Sequence, residues 1–265
     1  MLRYGNLKRL IKVVDEKLFF TSLKKTYFFF LNFKINLFFF FYKKKQNFFV
    51  VSLYNNNNNS LTKLFDLHKS DKGSVNHYSR NIWGWKAHTY SNYYYSLFNH
   101  FKDDVKLVFE LGLGTNNPNF LNNMTINGIP GSSLRVWRDY FKNAQIYGAD
   151  IDKDILFEEN RIKTYYTDSL SATSIEIMWK KIGIRNFDII IDDGLHTTTS
   201  NVNFFINSFN KLRKNGIYII EDVNLGECHN LMQKLKNFNP EFINLQIKNI
   251  KYPNNNNNLV IIRND

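Results

Sequence analysis

Two apolar runs that end in acidic residues constrain the fold of this chain more than any other feature. The first ends in Asp192-Asp193, and the second, at 217–220, ends in Glu221-Asp222. Strands that are buried on both faces of a parallel sheet read as continuous apolar runs. Ligands of such folds lie beyond the carboxyl ends of the strands. The sequence therefore predicts an open α/β sheet with a polar site at these two strand ends.

Strand and helix patterns alternate along the chain, as in a doubly wound sheet with right-handed crossovers. Lys214-Asn215-Gly216 is predicted to end a helix with a C-cap glycine. The predicted fold class is α/β, a Rossmann-like and mostly parallel sheet with an antiparallel C-terminal pair. The predicted strands are 105–111, 145–149, 162–166, 189–191 and 217–220, the antiparallel pair is 242–247 and 259–262, and the predicted helices are 90–101, 133–141, 175–182, 203–212 and 231–235.

Residues 1–60 differ in composition from the rest of the chain. The formal net charge is +12, yet residues 1–50 alone hold 11 Lys/Arg and 2 Asp/Glu, between clusters of phenylalanine. Lysines interrupt every apolar window before it reaches the roughly 20 residues of a membrane span. The segment reads as a basic, aromatic membrane-surface element or as a poorly ordered or separate extension produced by compositional drift. We favour the extension.

These observations set the predicted organisation. We expect an extension and linker at 1–60 and one domain at 61–265, in a cytoplasmic protein. Membrane contact through residues 1–50 and assembly into a homo-oligomer are left open. The single cysteine, Cys228, excludes an internal disulfide framework and a cysteine-rich zinc site.

A glycine pair follows the first predicted strand, in the sequence Glu110-Leu-Gly112-Leu-Gly114. Glycines let a ligand approach the backbone closely, and Asp150, at the end of the next strand, can accept two ribose hydroxyls. Asp168 follows the third strand. The G-x-G-x-x-G pattern is absent, and residues 116–130 separate the glycines from the next helix. Because a pyrophosphate needs helix N-terminal amides close by, this favours a nucleoside cofactor without one.

The combination of motifs resembles the class I S-adenosylmethionine-dependent methyltransferases. More narrowly it is similar to the macrocin/mycinamicin type, which are metal-dependent O-methyltransferases acting on macrolide sugars. The resemblance covers about residues 68–224, and neither residues 1–60 nor the insertion at 116–130 fits it. It rests on SDKG at 70–73, HY at 77–78, GSSLRVWRDYF at 131–141, IYGADID at 146–152, IDDGLH at 191–196 and IED at 220–222.

This resemblance implies S-adenosylmethionine and Mg²⁺, or a similar divalent cation, as cofactors. It implies that the cofactor is bound by Glu110, Gly112 and Gly114 at the methionine end, by Asp150 at the ribose, by Asp168 near the adenine and by Asp192 near the sulfonium.

Methyl transfer to a hydroxyl requires that the acceptor lose its proton. A sugar hydroxyl is a weak acid, and a bound divalent cation lowers the pKa of such a group. Oxygen ligands suit Mg²⁺, and Asp193, Glu221 and Asp222 offer them from adjacent strand ends. An imidazole can accept the proton, and His196 follows Asp193 closely. The resemblance implies the same roles, with the metal on the three acids and the base at His196.

We therefore predict a Mg²⁺-assisted, S-adenosylmethionine-dependent O-methyltransferase that acts on a hydroxyl of a sugar or a glycosylated small molecule. The alternatives are a catechol- or caffeoyl-type O-methyltransferase, a nucleic-acid methyltransferase and a non-catalytic, membrane-tethered module. A nucleic-acid partner is disfavoured because residues 51–265 carry a net charge of only +3.

Overall fold

The computed structural model describes residues 47–54, 58–74, 88, 90–120, 123–125, 128–248 and 257–265. The strands in these residues are β1 (Phe48–Tyr54), β2 (Leu107–Leu111), β3 (Gln145–Asp150), β4 (Glu158–Glu159), β5 (Ile162–Tyr166), β6 (Phe187–Asp192), β7 (Leu212–Ile220), β8 (Glu241–Lys248) and β9 (Asn258–Arg263). The α-helices are α1 (Ser60–Leu67), α2 (Ser91–Phe98), α3 (Ser132–Tyr140), α4 (Ala172–Ile182), α5 (Thr198–Ser208) and α6 (Leu225–Lys234).

All the strands form one sheet, in the order β1-β8-β9-β7-β6-β2-β3-β5-β4. Strands β5, β3, β2, β6 and β7 are parallel to one another. Strand β9 is antiparallel to both β7 and β8. The predicted doubly wound sheet with an antiparallel C-terminal pair is confirmed. Chain order reverses between β2 and β6, which is the position where open α/β sheets bind ligands.

Helices cover both faces of the sheet. On one face Phe65 of α1 and Trp137 of α3 join a buried cluster with Val108 and Ile189. On the other face the Phe109 ring lies 4.7 Å from the Trp179 ring of α4 and 5.9 Å from the Phe204 ring of α5, measured between centroids. Successive residues of a strand point to opposite faces, and both sides are apolar here. This explains why the central strands read as unbroken apolar runs.

The same alternation sorts the acidic residues at the strand ends. Glu110 accepts a hydrogen bond from Ser133 of α3 (2.8 Å), and Glu221 accepts one from Tyr94 of α2 (2.6 Å). Asp192 faces the opposite layer, where its Oδ2 accepts a 3.3 Å hydrogen bond from Asn201 of α5. Neighbouring acids in the sequence therefore lie in different surroundings.

Strand β1 lies within the stretch that the predicted boundary at residue 60 leaves in the extension. It pairs in parallel with β8, from Phe48 opposite Phe242 to Tyr54 opposite Lys248. The Phe48 and Phe242 rings stack with centroids 4.4 Å apart. Residues 1–46, on which the extension and membrane-surface interpretations rest, lie outside the described residues. No helix of the described residues is long and apolar enough to cross a membrane.

The prediction of a helix end at 214–216 is wrong. Gly216 lies within β7, which starts at Leu212, and helix α5 ends earlier, at Ser208. Asn215 adopts the left-handed conformation, with φ 59°, and its N–H donates to the Asn264 carbonyl at 2.6 Å. The Asn215-Gly216 pair is therefore an irregularity within a strand. Asparagine tolerates positive φ both here and at helix ends, so the residue pair alone does not distinguish the two structures.

Candidate functional site

A cavity of about 730 Å³ opens at the carboxyl ends of the central strands. Its wall includes Gly112 and Gly114 after β2, Asp150 at the end of β3, and Asp168 after β5. Asp193, His196 and Asp222 also line it, and these residues follow β6 and β7. The cavity thus joins the predicted nucleoside-binding residues to part of the predicted metal and base residues.

Gly112 forms the tightest part of the wall. Its φ is +91°, and a Cβ atom at this position would lie 2.0 Å from the carbonyl oxygen of Asp193. Its N–H donates to the Ala149 carbonyl at 2.8 Å. Positive φ and this close approach both require glycine. The turn after β2 therefore packs directly against the turn after β6.

The described part of the insertion at 116–130 folds back over this turn. The Met124 N–H donates to the Thr115 carbonyl at 2.6 Å, and Gly131 N–H donates to the Leu113 carbonyl at 2.7 Å. Phe120 and Met124 line the cavity. The insertion therefore forms part of the cavity wall beside the glycines.

Asp150 is fixed by the backbone around it. Its Oδ2 accepts from the Leu113 N–H at 2.7 Å, and its Oδ1 accepts from the Asp152 N–H at 2.9 Å. An ionised carboxylate has further lone pairs that can accept ribose hydroxyls. Asp168 lies nearby and accepts from the Leu170 N–H at 2.9 Å. Both acids are held in the cavity wall, where the sequence predicts the ribose and the adenine.

Thr167, between these acids, has a hydroxyl that the sequence did not single out. Its side chain is 1 % exposed, and Thr167 lines the cavity. Among the described residues its Oγ1 has no hydrogen-bond partner. A buried hydroxyl without a partner is unfavourable, so a ligand that supplies one would be bound more tightly.

Lys72 lies at the centre of an inner acidic cluster. Its Nζ donates to Asp193 Oδ2 at 2.5 Å and to Glu221 Oε2 at 2.6 Å, and lies 3.8 Å from Glu110 Oε1. Burial opposes the charged form of this lysine, but the charges of Asp193, Glu221 and Glu110 outweigh it. They hold the pKa of Lys72 well above its usual value, so the group is an ammonium ion.

Asp222 is held by a second set of donors, from the segment before α2. Its Oδ1 lies 2.9 Å from His88 Nδ1 and accepts from the Tyr90 hydroxyl at 2.5 Å. Burial alone would raise the pKa of Asp222, but the charge and hydrogen bond of His88 outweigh it and lower this pKa below its usual range. Asp222 is therefore an ionised carboxylate at neutral pH.

His196 stands opposite the two acids that line the cavity. Its Nε2 lies 4.0 Å from Asp193 Oδ1 and 4.0 Å from Asp222 Oδ2. His196 and Asp222 both have left-handed backbones, with φ 57° and 54°. Non-glycine residues held in this conformation concentrate at functional sites. His196 Nδ1 is buried, and no described residue hydrogen-bonds to it.

These groups fit a divalent cation. Ligand atoms of Asp193, His196 and Asp222 all lie within 4.8 Å of one another. Asp193 Oδ1 and Asp222 Oδ2 are the oxygens that lysine, histidine and tyrosine donors leave uncovered. Two carboxylates with open positions for water or substrate are the usual protein contribution to a Mg²⁺ site.

Three residues predicted to bind the cofactor or the metal do not line the cavity: Glu110, Asp192 and Glu221. Glu110 is fully buried and accepts from Ser133 and from the Trp137 indole N–H. Asp192 is 2 % exposed, and burial raises its pKa to about 7 although His196 and nearby donors oppose the shift. Their predicted contacts with ligands stay predictions. In the structure these three side chains point away from the cavity and accept hydrogen bonds from the helices that pack on the sheet.

The groups that hold the acids have no clear signal in the sequence. Lys72 lies in the SDKG segment, which contributes to the family resemblance but does not by itself indicate a role. Nothing local distinguishes His88, Tyr90 and Tyr94 from other aromatic residues. Their acidic partners lie more than a hundred residues away, at separations of 127 and 132 positions for the two tyrosines.

The fold and the cavity define a Rossmann-like α/β architecture with a ligand cavity at the carboxyl ends of the central strands. The MycE methyltransferase of the mycinamycin pathway, solved in complex with Mg and SAH, superposes with a TM-score of 0.53 at 23% identity. The match covers 78% of this chain and 56% of that chain. At this identity the likeness establishes the fold.

Sequence comparison gives more particular relatives. A rhamnosyl tetracenomycin-C 2'-O-methyltransferase from Streptomyces olivaceus is 33% identical over 140 residues, which are 52% of this chain and 34% of the relative. The mycinamicin VI 2''-O-methyltransferase of Micromonospora griseorubida is 31% identical over 137 residues, 51% of this chain and 32% of the relative. The chain thus spans about a third of the curated relatives it matches. No family model matches it. The predicted resemblance to sugar O-methyltransferases of the macrocin/mycinamicin type is confirmed.

Proposed function

We propose that this protein is an S-adenosylmethionine-dependent, Mg²⁺-assisted O-methyltransferase that acts on a hydroxyl of a sugar or a glycosylated small molecule. One observation carries the proposal. A single cavity is lined both by Gly112, Asp150 and Asp168 and by Asp193, His196 and Asp222. A methyl donor bound at the first group lies beside an acceptor bound at the second.

The cofactor half binds the nucleoside. Asp150 accepts the ribose hydroxyls, Asp168 lies near the adenine, and the backbone at Gly112 and Gly114 lets the methionine end approach closely. The insertion at 116–130 closes this side of the cavity through Phe120 and Met124. Holding the methyl group in line with the acceptor oxygen is the main catalytic contribution expected of such a wall.

The acceptor half removes the hydroxyl proton. Asp193 and Asp222 would hold the divalent cation, which supplies Lewis acidity that makes a bound hydroxyl easier to deprotonate. His196, facing both acids, takes the proton from the acceptor oxygen. Lys72 and His88 favour the ionised forms of Asp193 and Asp222, respectively, although burial still leaves the pKa of Asp193 above its usual value.

The names of the relatives support the acceptor class. The tetracenomycin and mycinamicin enzymes are named for methylation of sugar hydroxyls on glycosylated natural products. A sugar hydroxyl fits the present cavity because its neighbours are carboxylates and an imidazole that can hydrogen-bond to hydroxyls. Cytoplasmic location, membrane contact through residues 1–50 and homo-oligomer formation stay predictions.

The test is a methyl-transfer screen. We expect the full chain, given labelled S-adenosylmethionine and Mg²⁺, to methylate a member of a panel of glycosides, sugar nucleotides and glycans. A chelator should stop the reaction, and added Mg²⁺ should restore it. Transfer only to catechols would favour the catechol-type alternative, and transfer only to RNA or DNA would favour the nucleic-acid alternative. Failure to bind S-adenosylmethionine in calorimetry would refute the proposal and favour a non-catalytic module.

Thr167 provides a narrower test of the nucleoside site. We expect Thr167→Val, which keeps the shape and removes the hydroxyl, to weaken binding of S-adenosylhomocysteine by about 3- to 10-fold, the value of one hydrogen bond. Calorimetry measures the dissociation constant. The matched control is Thr164→Val, since the Thr164 hydroxyl already bonds to the Phe157 carbonyl at 2.6 Å, away from the cavity lining. Equal dissociation constants for wild type and Thr167→Val would remove Thr167 from the site.

A further inference from the structure

Lys72 is a buried cation that takes no direct part in the proposed proton or methyl transfer. Its side chain is 5 % exposed, and it faces the ends of three strands through Glu110, Asp193 and Glu221. Within the described residues, its ion pairs are with these three acids and not with Asp150 or Asp168. A buried lysine beside a predicted metal site is unusual, because its charge would repel a metal ion bound to the same carboxylates.

The backbone around Lys72 is fixed from both sides. The His88 N–H donates to the Asp71 carbonyl at 2.8 Å, and the Ser91 N–H donates to the Lys72 carbonyl at 2.9 Å. A Cβ at Gly73 would lie 2.3 Å from Asp66 Oδ1, so this turn packs closely on α1. The backbone contacts of this turn therefore hold Lys72 in the position from which its ammonium group reaches the acids.

Both carboxylate oxygens of Glu221 already accept a hydrogen bond from a buried protein donor, and the side chain does not line the cavity. Lys72 takes Oε2 at 2.6 Å, and the Tyr94 hydroxyl takes Oε1 at 2.6 Å. Glu221 is 0 % exposed. Asp193 differs, because Lys72 takes only its Oδ2, while its Oδ1 faces His196. Asp222 likewise keeps Oδ2 on the cavity side.

We propose that Lys72 is the cation that Glu221 binds, and that it confines divalent-cation binding to the cavity-side oxygens of Asp193 and Asp222. Glu221 is then a positioning residue that holds the lysine, and not a metal ligand. This inference rests on the metal site of the proposed function and changes its composition. It follows from charge, since an ammonium ion and a divalent cation repel each other when both are placed between the same two carboxylates.

The test compares binding of Mn²⁺ to full-length variants, with calorimetry for affinity and electron paramagnetic resonance for the number of bound ions. In Lys72→Met/Glu221→Gln the buried ion pair becomes two neutral groups of similar shape, an exchange that proteins often tolerate. We expect this variant to bind one Mn²⁺ ion, with an affinity within about threefold of wild type. The matched variant Asp222→Asn should lose more than about 10-fold, the lower end of the effect of an altered metal-site contact.

Two outcomes would overturn the inference. One is a loss of more than about 10-fold in the double variant, as expected if Glu221 ligates the ion. The other is a wild-type chain that binds two Mn²⁺ ions. Neither measurement needs S-adenosylmethionine or an acceptor. A chain that shows the expected Mn²⁺ pattern but transfers no methyl group would refute the proposed function alone, and an active wild type whose double variant loses Mn²⁺ would refute this inference alone.

Discussion

Replacing His196 with asparagine is expected to lower the rate of methyl transfer by about 10²- to 10⁴-fold, the usual contribution of a general base. An amide cannot accept the acceptor's proton as an imidazole can. Asparagine suits this position because it tolerates left-handed backbone better than most residues, and His196 has φ 57°. Single-turnover measurements with saturating S-adenosylmethionine give the rate.

The same variant should bind S-adenosylhomocysteine within about threefold of wild type, because the ion pairs of His196 within the described part of the chain are with Asp193 and Asp222, and not with Asp150 or Asp168. His100→Asn is the matched control, since His100 is exposed and lies outside the cavity lining. A rate within about tenfold of wild type for His196→Asn would place the base elsewhere. Equal losses of rate and of cofactor binding would make His196 a structural residue.

Gly112→Ala is expected to have the largest effect on folding. The left-handed conformation of an alanine costs about 1–2 kcal/mol, and forcing a methyl group into a filled space costs about 1–3 kcal/mol more. The loss in free energy of unfolding is therefore about 2–5 kcal/mol. The obstacle is a backbone carbonyl, 2.0 Å from the added Cβ, which cannot rotate away as a side chain can.

Gly183→Ala separates the two contributions. Gly183 ends α4 with φ +69°, but the nearest atom to an added Cβ is 3.9 Å away. This control should lose only the conformational part, about 1–2 kcal/mol. Urea denaturation of both variants gives the free energies of unfolding. Calorimetry with S-adenosylhomocysteine shows whether the cavity still binds this ligand. If Gly112→Ala is no less stable than Gly183→Ala, the close packing of the two turns is not as described.

The central sheet could be predicted because its strands are buried on both sides. The apolar run within residues 187–192 predicts a buried strand. The acids at the ends of such strands are then expected at the same edge of a parallel sheet. Strand β1 could not be predicted, since its partner β8 lies at the far end of the chain and its Phe-rich sequence continues the composition of residues 1–46. Propensity carries no information about such distant pairing.

The residue types of the site could be predicted, but not which acid contacts which partner. Because Asp192 and Asp193 are adjacent, their side chains are expected to face opposite helix layers. The sequence does not indicate which of these layers contains Lys72. The pairing of Lys72 with Glu221 spans 149 positions. Only the packed fold shows that one predicted metal ligand already has a cation.

The contact between Gly112 and Asp193 has a consequence for how the two ligands communicate. The carbonyl of Asp193 packs against the Gly112 turn, while its carboxylate faces His196. Asp193 therefore connects the proposed cofactor side of the cavity to the proposed acceptor side. If a ligand on one side displaced this peptide, its binding would be coupled to binding on the other side, and thermodynamic reciprocity would make the two effects on affinity equal.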